Sequence, residues 1–145
     1  MELGYLFTDH MVLQREKPIR IYGTADTAVT VKFDEAELTV RPDCGKWCAE
    51  FPPMEAGGPH KIEIIGDGET VELYDVMVGE VFLAAGQSNM AHLTFGAIGG
   101  FEKARGYYNS DIRLFTVPHH SDGGSYQFEW QFERVSTSKT AWRIC

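Results

Sequence analysis

Positive charge is scarce in this sequence: 13 Lys and Arg against 21 Asp and Glu leave a formal charge of −8 over 145 residues. Nucleic acids and anionic membrane surfaces are bound through clustered positive faces. The Lys and Arg residues are scattered, so neither partner is expected. Long apolar runs are missing too. No stretch approaches the roughly 18 apolar residues of a membrane helix, and Met1-Glu2-Leu3-Gly4-Tyr5 has neither the basic segment nor the apolar core of a secretion leader. The expectation is a soluble, cytoplasmic protein. Cysteine is limited to Cys44, Cys48 and Cys145, without a C-x-x-C pair or a zinc-ligand spacing. They read as free thiols of a reducing compartment, and no metal is expected. No glycine-rich phosphate loop opens a helix after a strand, which removes the case for a nucleotide cofactor. Internal repeats and low-complexity segments are absent as well.

What is present suffices for a packed core. Hydrophobic residues make up 43% and charged residues 23%, close to the average for globular domains. From Leu3 to about Tyr74 short strands are predicted at Met11–Leu13, Ile19–Tyr22, Val29–Phe33, Glu37–Val40, Lys46–Phe51, His60–Ile65 and Thr70–Leu73. Turn residues separate them: Pro18, Gly23, Asp43, Gly45, Pro52-Pro53, Gly57-Gly58-Pro59 and Gly66-Asp67-Gly68. In Val29–Phe33 the odd positions are apolar while Thr30 and Lys32 are polar, the alternation of a sheet with one buried face. An all-β, β-sandwich-like domain over residues 1–76 follows.

The pattern changes at Asp75. Val81-Phe82-Leu83-Ala84-Ala85 is an uninterrupted apolar run, of the kind found in strands buried on both faces of a parallel sheet. A second domain, α/β in class, is therefore placed over residues 77–145. Its next elements are a short helix, a long loop, and a strand over Asp111–Val117 that Pro118 ends. Gly86-Gln87-Ser88-Asn89-Met90 comes directly after the apolar run, where open α/β sheets present groups at the carboxyl ends of their strands. Near a helix N-terminus, free backbone N–H groups and the helix dipole stabilise the negative charge that develops in acyl transfer. Position alone leaves two readings of Ser88 open, a nucleophile and a helix cap.

The block Gly86-Gln87-Ser88-Asn89-Met90 resembles the nucleophile block of the sialate O-acetylesterase family, within the wider SGNH hydrolases. Flanking segments carry the same resemblance in order: Phe7-Thr8-Asp9-His10-Met11-Val12-Leu13-Gln14, Gly23-Thr24-Ala25, Gly45-Lys46-Trp47, Ala56-Gly57-Gly58-Pro59, Asp75-Val76-Met77-Val78-Gly79-Glu80-Val81 and Ile112-Arg113-Leu114-Phe115. The resemblance covers about residues 5–118, and Trp142 matches a family tryptophan further on. It implies a β-sandwich-like domain followed by the start of an SGNH (flavodoxin-like) α/β hydrolase domain. It further implies hydrolysis of O-acetyl groups on sugars, either sialic acid or a polysaccharide acetate, with Ser88 as nucleophile. Gly86, Gln87 and Asn89 would contribute to the pocket and the oxyanion hole. Phe82, Ala84 and Ala85 depart from the family, where Trp and more polar or sulfur-bearing residues are common.

The resemblance also calls for an Asp-x-x-His segment that supplies the base. The residues three before His10, His60, His92, His119 and His120 are Phe7, Gly57, Asn89, Thr116 and Val117, so no such segment exists here. General-base assistance is worth roughly 10²–10⁴-fold, and the chain by itself is expected to be inactive. His92 lies four residues after Ser88, on one face if the segment is helical, but reads better as an ordinary pocket or surface histidine. His119-His120 reads as a solvated pair rather than a metal site. Trp47, Trp130 and Trp142 read as core or hairpin residues before sugar-stacking platforms. The rival function is a noncatalytic carbohydrate-interaction module derived from such an esterase. A parallel sheet begun with so few strands would expose the flanks of Val81–Ala85 and promote association.

Overall fold

The computed structural model describes residues 1–86, 97–104, 108–115, 117 and 130–134. They fall into two compact units, residues 1–81 with 115–130 and residues 82–114 with 131–145.

The first unit is built from eight strands: β1 (Glu2–Leu3), β2 (Val12–Gln14), β3 (Ile19–Thr24), β4 (Val29–Phe33), β5 (Ala36–Val40), β6 (Lys46–Phe51), β7 (Gly57–Gly66) and β8 (Glu69–Gly79). One sheet has the order β1-β3-β6 and the other β2-β8-β7-β4-β5. All pairings in them are antiparallel except β2 with β8, which run parallel. Period-2 alternation selects the faces. In β6, Trp47, Ala49 and Phe51 are buried while Lys46, Cys48 and Glu50 are exposed; in β4, Val29, Val31 and Phe33 are buried. These residues join Ile19 and Ile21 of β3, Ile62 and Ile64 of β7, and Leu73, Val76 and Val78 of β8 in one hydrophobic cluster. Phe33 of one sheet meets Phe51 of the other edge-on, ring centroids 5.6 Å apart. The two sheets thus share a single core, and the expected all-β character of this region stands.

Turn chemistry accounts for the hairpins. Cys44-Gly45 and Asp67-Gly68 are paired positive-φ residues, the backbone that tight two-residue hairpin turns need for their twist to match the strands. Asp67 has a second role. Its carboxylate accepts from the Thr27 hydroxyl (2.8 Å) and from the N–H groups of Thr27 (2.8 Å) and Asp26 (3.1 Å), which ties the β7–β8 turn to the β3–β4 turn. The Thr27 hydroxyl and then these backbone donors hold the Asp67 carboxyl well below the usual carboxylate range.

A depressed folded-state pKa contributes stability that is fully present above the unfolded value of roughly 3.9 and lost as pH falls through the folded one. Asp67→Asn should therefore lower the thermal midpoint at pH 7. The gap to the parent should narrow steadily as the pH is taken below about 4. Thermal melts of both proteins across the acid range check this, and a gap that stays constant with pH would contradict it.

β8 carries the main irregularity. Leu73 pairs with Ile62 and Val76 with His60, so three steps on β8 match two on β7. The extra residue is a β-bulge, and Asp75 sits in it at a φ of 53°. Inward positions accordingly shift parity, from Leu73 before the bulge to Val76 and Val78 after it. Asp75, where the sequence pattern changes, lies in this bulge, and β8 continues past it to Gly79.

The second unit contains a helix, α1 (Gly100–Ala104), and most of a two-stranded sheet of β9 (Tyr108–Phe115) and β10 (Trp130–Arg134). Residues 81–85, expected as a parallel strand buried on both faces, form no strand; Phe82 is 73% and Leu83 91% exposed. Such a strand needs a partner on each edge and a layer over each face. Among the described residues nothing supplies either. The described structure is β-rich, with five helical residues.

Candidate functional site

The candidate site begins where β8 ends. β2 lies parallel to β8 in the register Val12↔Met77, Leu13↔Val78 and Gln14↔Gly79, and so delivers Gln14 and Arg15 to the place where the chain leaves the sheet. The Arg15 N–H donates to the Gly79 carbonyl (2.9 Å), and the Val81 N–H donates to Gln14 Oε1 (2.9 Å). Between them Glu80 is held by both side chains. Arg15 Nε donates to its Oε1 at 2.7 Å, and Gln14 Nε2 to its Oε2 at 3.2 Å. Gln14 first, then Arg15, keeps the Glu80 carboxyl below the usual carboxylate range, and Glu80 in turn raises the Arg15 guanidinium.

The bulge is locked from the same side of the fold. Tyr74 N–H donates to Asp9 Oδ1 (2.7 Å), and its carbonyl accepts from the His10 N–H (3.0 Å). His10 Nδ1 lies 2.7 Å from Asp75 Oδ2. Both backbone groups of Tyr74 are thereby satisfied within the Thr8-Asp9-His10 turn, as the bulge requires. The segment from Phe7 to Gln14 thus folds as a brace along β8, from the bulge to the chain exit.

Of the predicted site residues, Gly86 is described and exposed. Gln87, Ser88 and Asn89 lie outside the described residues, as do His92, His119, His120, Trp142 and Cys145. Cys44 and Cys48 are exposed free thiols. Trp47 is 3% exposed, a core residue whose ring is not open to a sugar. Trp130 donates its indole N–H to the Leu6 carbonyl (2.9 Å) and packs beside Phe115, ring centroids 5.3 Å apart. Among the described residues no three His, Cys, Asp or Glu side chains gather as a metal would require. In the same residues no helix is long and apolar enough to cross a membrane.

In the sequence Asp9, Gln14 and Glu80 stand out only as parts of matching segments, and His10 otherwise only as a histidine with Phe7 three residues before it. Their contacts span 65 to 67 positions, and no local spacing announces them.

No family model matches the chain. Among known proteins it is similar to the sialate O-acetylesterases of rat (Rattus norvegicus), 33% identical, mouse (Mus musculus), 31%, and human (Homo sapiens), 30%, each over 106 residues. These matches take in 61% of this chain and 20% of each relative, so the chain spans about a fifth of the length of the curated relatives it matches. Among solved structures it is similar to a carbohydrate acetylesterase from Xanthomonas citri, with a TM-score of 0.80 and 32% identity over 92% of this chain and 33% of the other. The sequence resemblance and the structural likeness thus fall on acetylesterases, over a portion of their length.

Proposed function

We propose that this chain is the N-terminal portion of a carbohydrate O-acetylesterase of the sialate O-acetylesterase type, with Ser88 as its nucleophile. The observation that carries the reading is the Gly86-Gln87-Ser88-Asn89-Met90 block. It follows the end of β8 after six intervening residues, in a chain whose similarity lies with acetylesterases. In this reading residues 1–76 are the β-sandwich-like domain and residues 77–145 open an SGNH α/β hydrolase domain. The hand-over lies along Asp75 to Val81.

The reaction has two halves. Ser88 Oγ attacks the acetyl carbonyl of an O-acetylated sugar, a base takes the hydroxyl proton, and the C–O bond to the sugar breaks. The sugar hydroxyl leaves protonated and an acetyl-serine remains. Water then adds to that ester, acetate departs, and the serine is regenerated. The N–H groups of Ser88 or Asn89, with Gly86 leaving room for the turn, would receive the developing oxyanion. Substrates are O-acetyl sialic acids or polysaccharide acetates. No Asp-x-x-His segment lies within the 145 residues, which makes them by themselves inactive in this proposal; the rival reading is a noncatalytic carbohydrate-interaction module.

The test is a chimera in which residues 1–118 replace the matched portion of the Xanthomonas citri acetylesterase, assayed on p-nitrophenyl acetate beside its Ser88→Ala variant. Turnover that disappears with Ser88 supports the esterase reading. A folded chimera without turnover favours the module. Turnover that survives Ser88→Ala overturns the assignment of the nucleophile.

A further inference from the structure

We infer that Gln14, Arg15 and Glu80 form a chain guide: positioning residues that fix the backbone over Gly79 to Val81, where β8 ends and the chain runs on in sequence to Ser88. The inference rests on the esterase reading for its purpose, while its geometry stands by itself.

Three observations carry it. First, β2 contributes only three residues to its sheet, yet its end supplies every contact just described at the exit of β8: a backbone donor to Gly79, an acceptor to the Val81 N–H, and two side-chain donors to Glu80. Beyond Val81 the described residues 82–86 belong to no strand.

Second, the Gln14 carboxamide is used at both ends. Its oxygen accepts from Val81 and its nitrogen donates to Glu80 Oε2 and to the Arg15 carbonyl (3.2 Å). A donor turned to Val81 or an oxygen turned to the Glu80 carboxylate would each be repulsive, so the carboxamide has one satisfactory orientation. That orientation fixes Glu80 and Val81 against each other.

Third, the Arg15–Glu80 pair is solvent-exposed, and exposed ion pairs add little to folding stability. Such an arrangement is spent on direction and register, since a charge-assisted hydrogen bond from a guanidinium has a strong angular preference. Six residues separate Val81 from Ser88. A misplacement of about 1 Å in a reacting group costs up to roughly a hundredfold in rate.

The experiment uses polarity exchange. In the 145-residue chain, amide hydrogen exchange at Val81 is measured by NMR, with the amides of β4 and β6 as internal references. Gln14→Met removes both ends of the carboxamide, and exchange at Val81 should quicken about tenfold while the references hold. Gln14→Glu keeps an acceptor for Val81 but faces Glu80 with a second carboxylate, and should do the same. The double substitution Gln14→Glu/Glu80→Gln restores a donor opposite an acceptor and should return exchange to within about twofold of the parent. In the chimera, Gln14→Met should lower kcat roughly tenfold or more with KM unchanged, and the double substitution should recover it. Val81 exchange that ignores Gln14→Met, or a double substitution no better than Gln14→Glu, overturns the guide. An unchanged kcat overturns its positioning role. The Ser88→Ala comparison reports separately on the esterase reading.

Discussion

Ser88→Ala in the chimera is expected to lower kcat/KM by about a thousandfold or more, to the rate of the oxyanion donors and substrate binding alone. The size follows from what is removed. Without the hydroxyl no acetyl-enzyme forms, and one difficult step is no longer divided into two easier ones. Oxyanion stabilisation by backbone N–H groups survives, because alanine keeps its N–H; this is why some catalysis over water remains. The 145-residue chain should behave differently. With no Asp-x-x-His to take the proton, its hydrolysis of p-nitrophenyl acetate should match the Ser88→Ala variant within error, since the base alone is worth roughly 10²–10⁴-fold. A Ser88-dependent rate in the 145-residue chain would mean that a base lies within these residues, and His92, four positions on, would be the first to replace.

Ile64→Ala should cost about 2–5 kcal/mol of folding stability. Ile64 is fully buried in the long central strand β7, opposite Val31 of β4 and Val71 of β8. Its loss exposes a gap lined by side chains of a closely packed core, and the sheets cannot close over it without breaking register on both sides of β7. A domain of this size holds only about 5–15 kcal/mol in total, so a large share of the protein's margin disappears with one side chain. With a urea slope of about 1–3 kcal/mol per molar, the midpoint should fall by at least roughly 0.7 M. Glu63→Ala, next along the strand on the outer face with its carboxylate paired to Lys32 of β4, is the control and should move the midpoint little. Urea unfolding followed through the buried Trp47 checks both. Equal midpoints for the two variants would show that β7 is not the centre of the core.

The strands that could be read from sequence are those in which one face meets the core and the other meets water. Val29–Phe33 and Lys46–Phe51 have the same bounds in sequence and structure, because alternation is imposed by burial itself. The readings fail where burial and chain geometry part company. Gly57-Gly58-Pro59 reads as a turn but opens β7, whose start pairs across an irregular register with the end of β8. The run Val81–Ala85 reads as a buried strand because it is apolar, yet an apolar run is a strand only when other strands pair with it. At Asp75, where the sequence pattern changes, the structure has one extra residue that inverts which positions face inward, and no local signal in the sequence marks it as a bulge.

The site divides in the same way. Ser88 is legible as a candidate because a strand, a glycine and a serine in succession are local, and local order is what a sequence displays. Asp9 with Tyr74, His10 with Asp75, and Gln14 with Glu80 and Val81 are meetings of residues more than sixty positions apart. They exist because the β2–β8 register brings the N-terminal brace alongside the last strand of the sheet. By itself the sequence determined the all-β character of the first region, the faces of its regular strands, most of its turns and the type of chemistry to look for, since each depends on near neighbours and on water. Only the tertiary structure decided the bulge in β8, the exposed path of residues 81–85 and the grip on Glu80, because hydrogen bonds between distant segments depend on register.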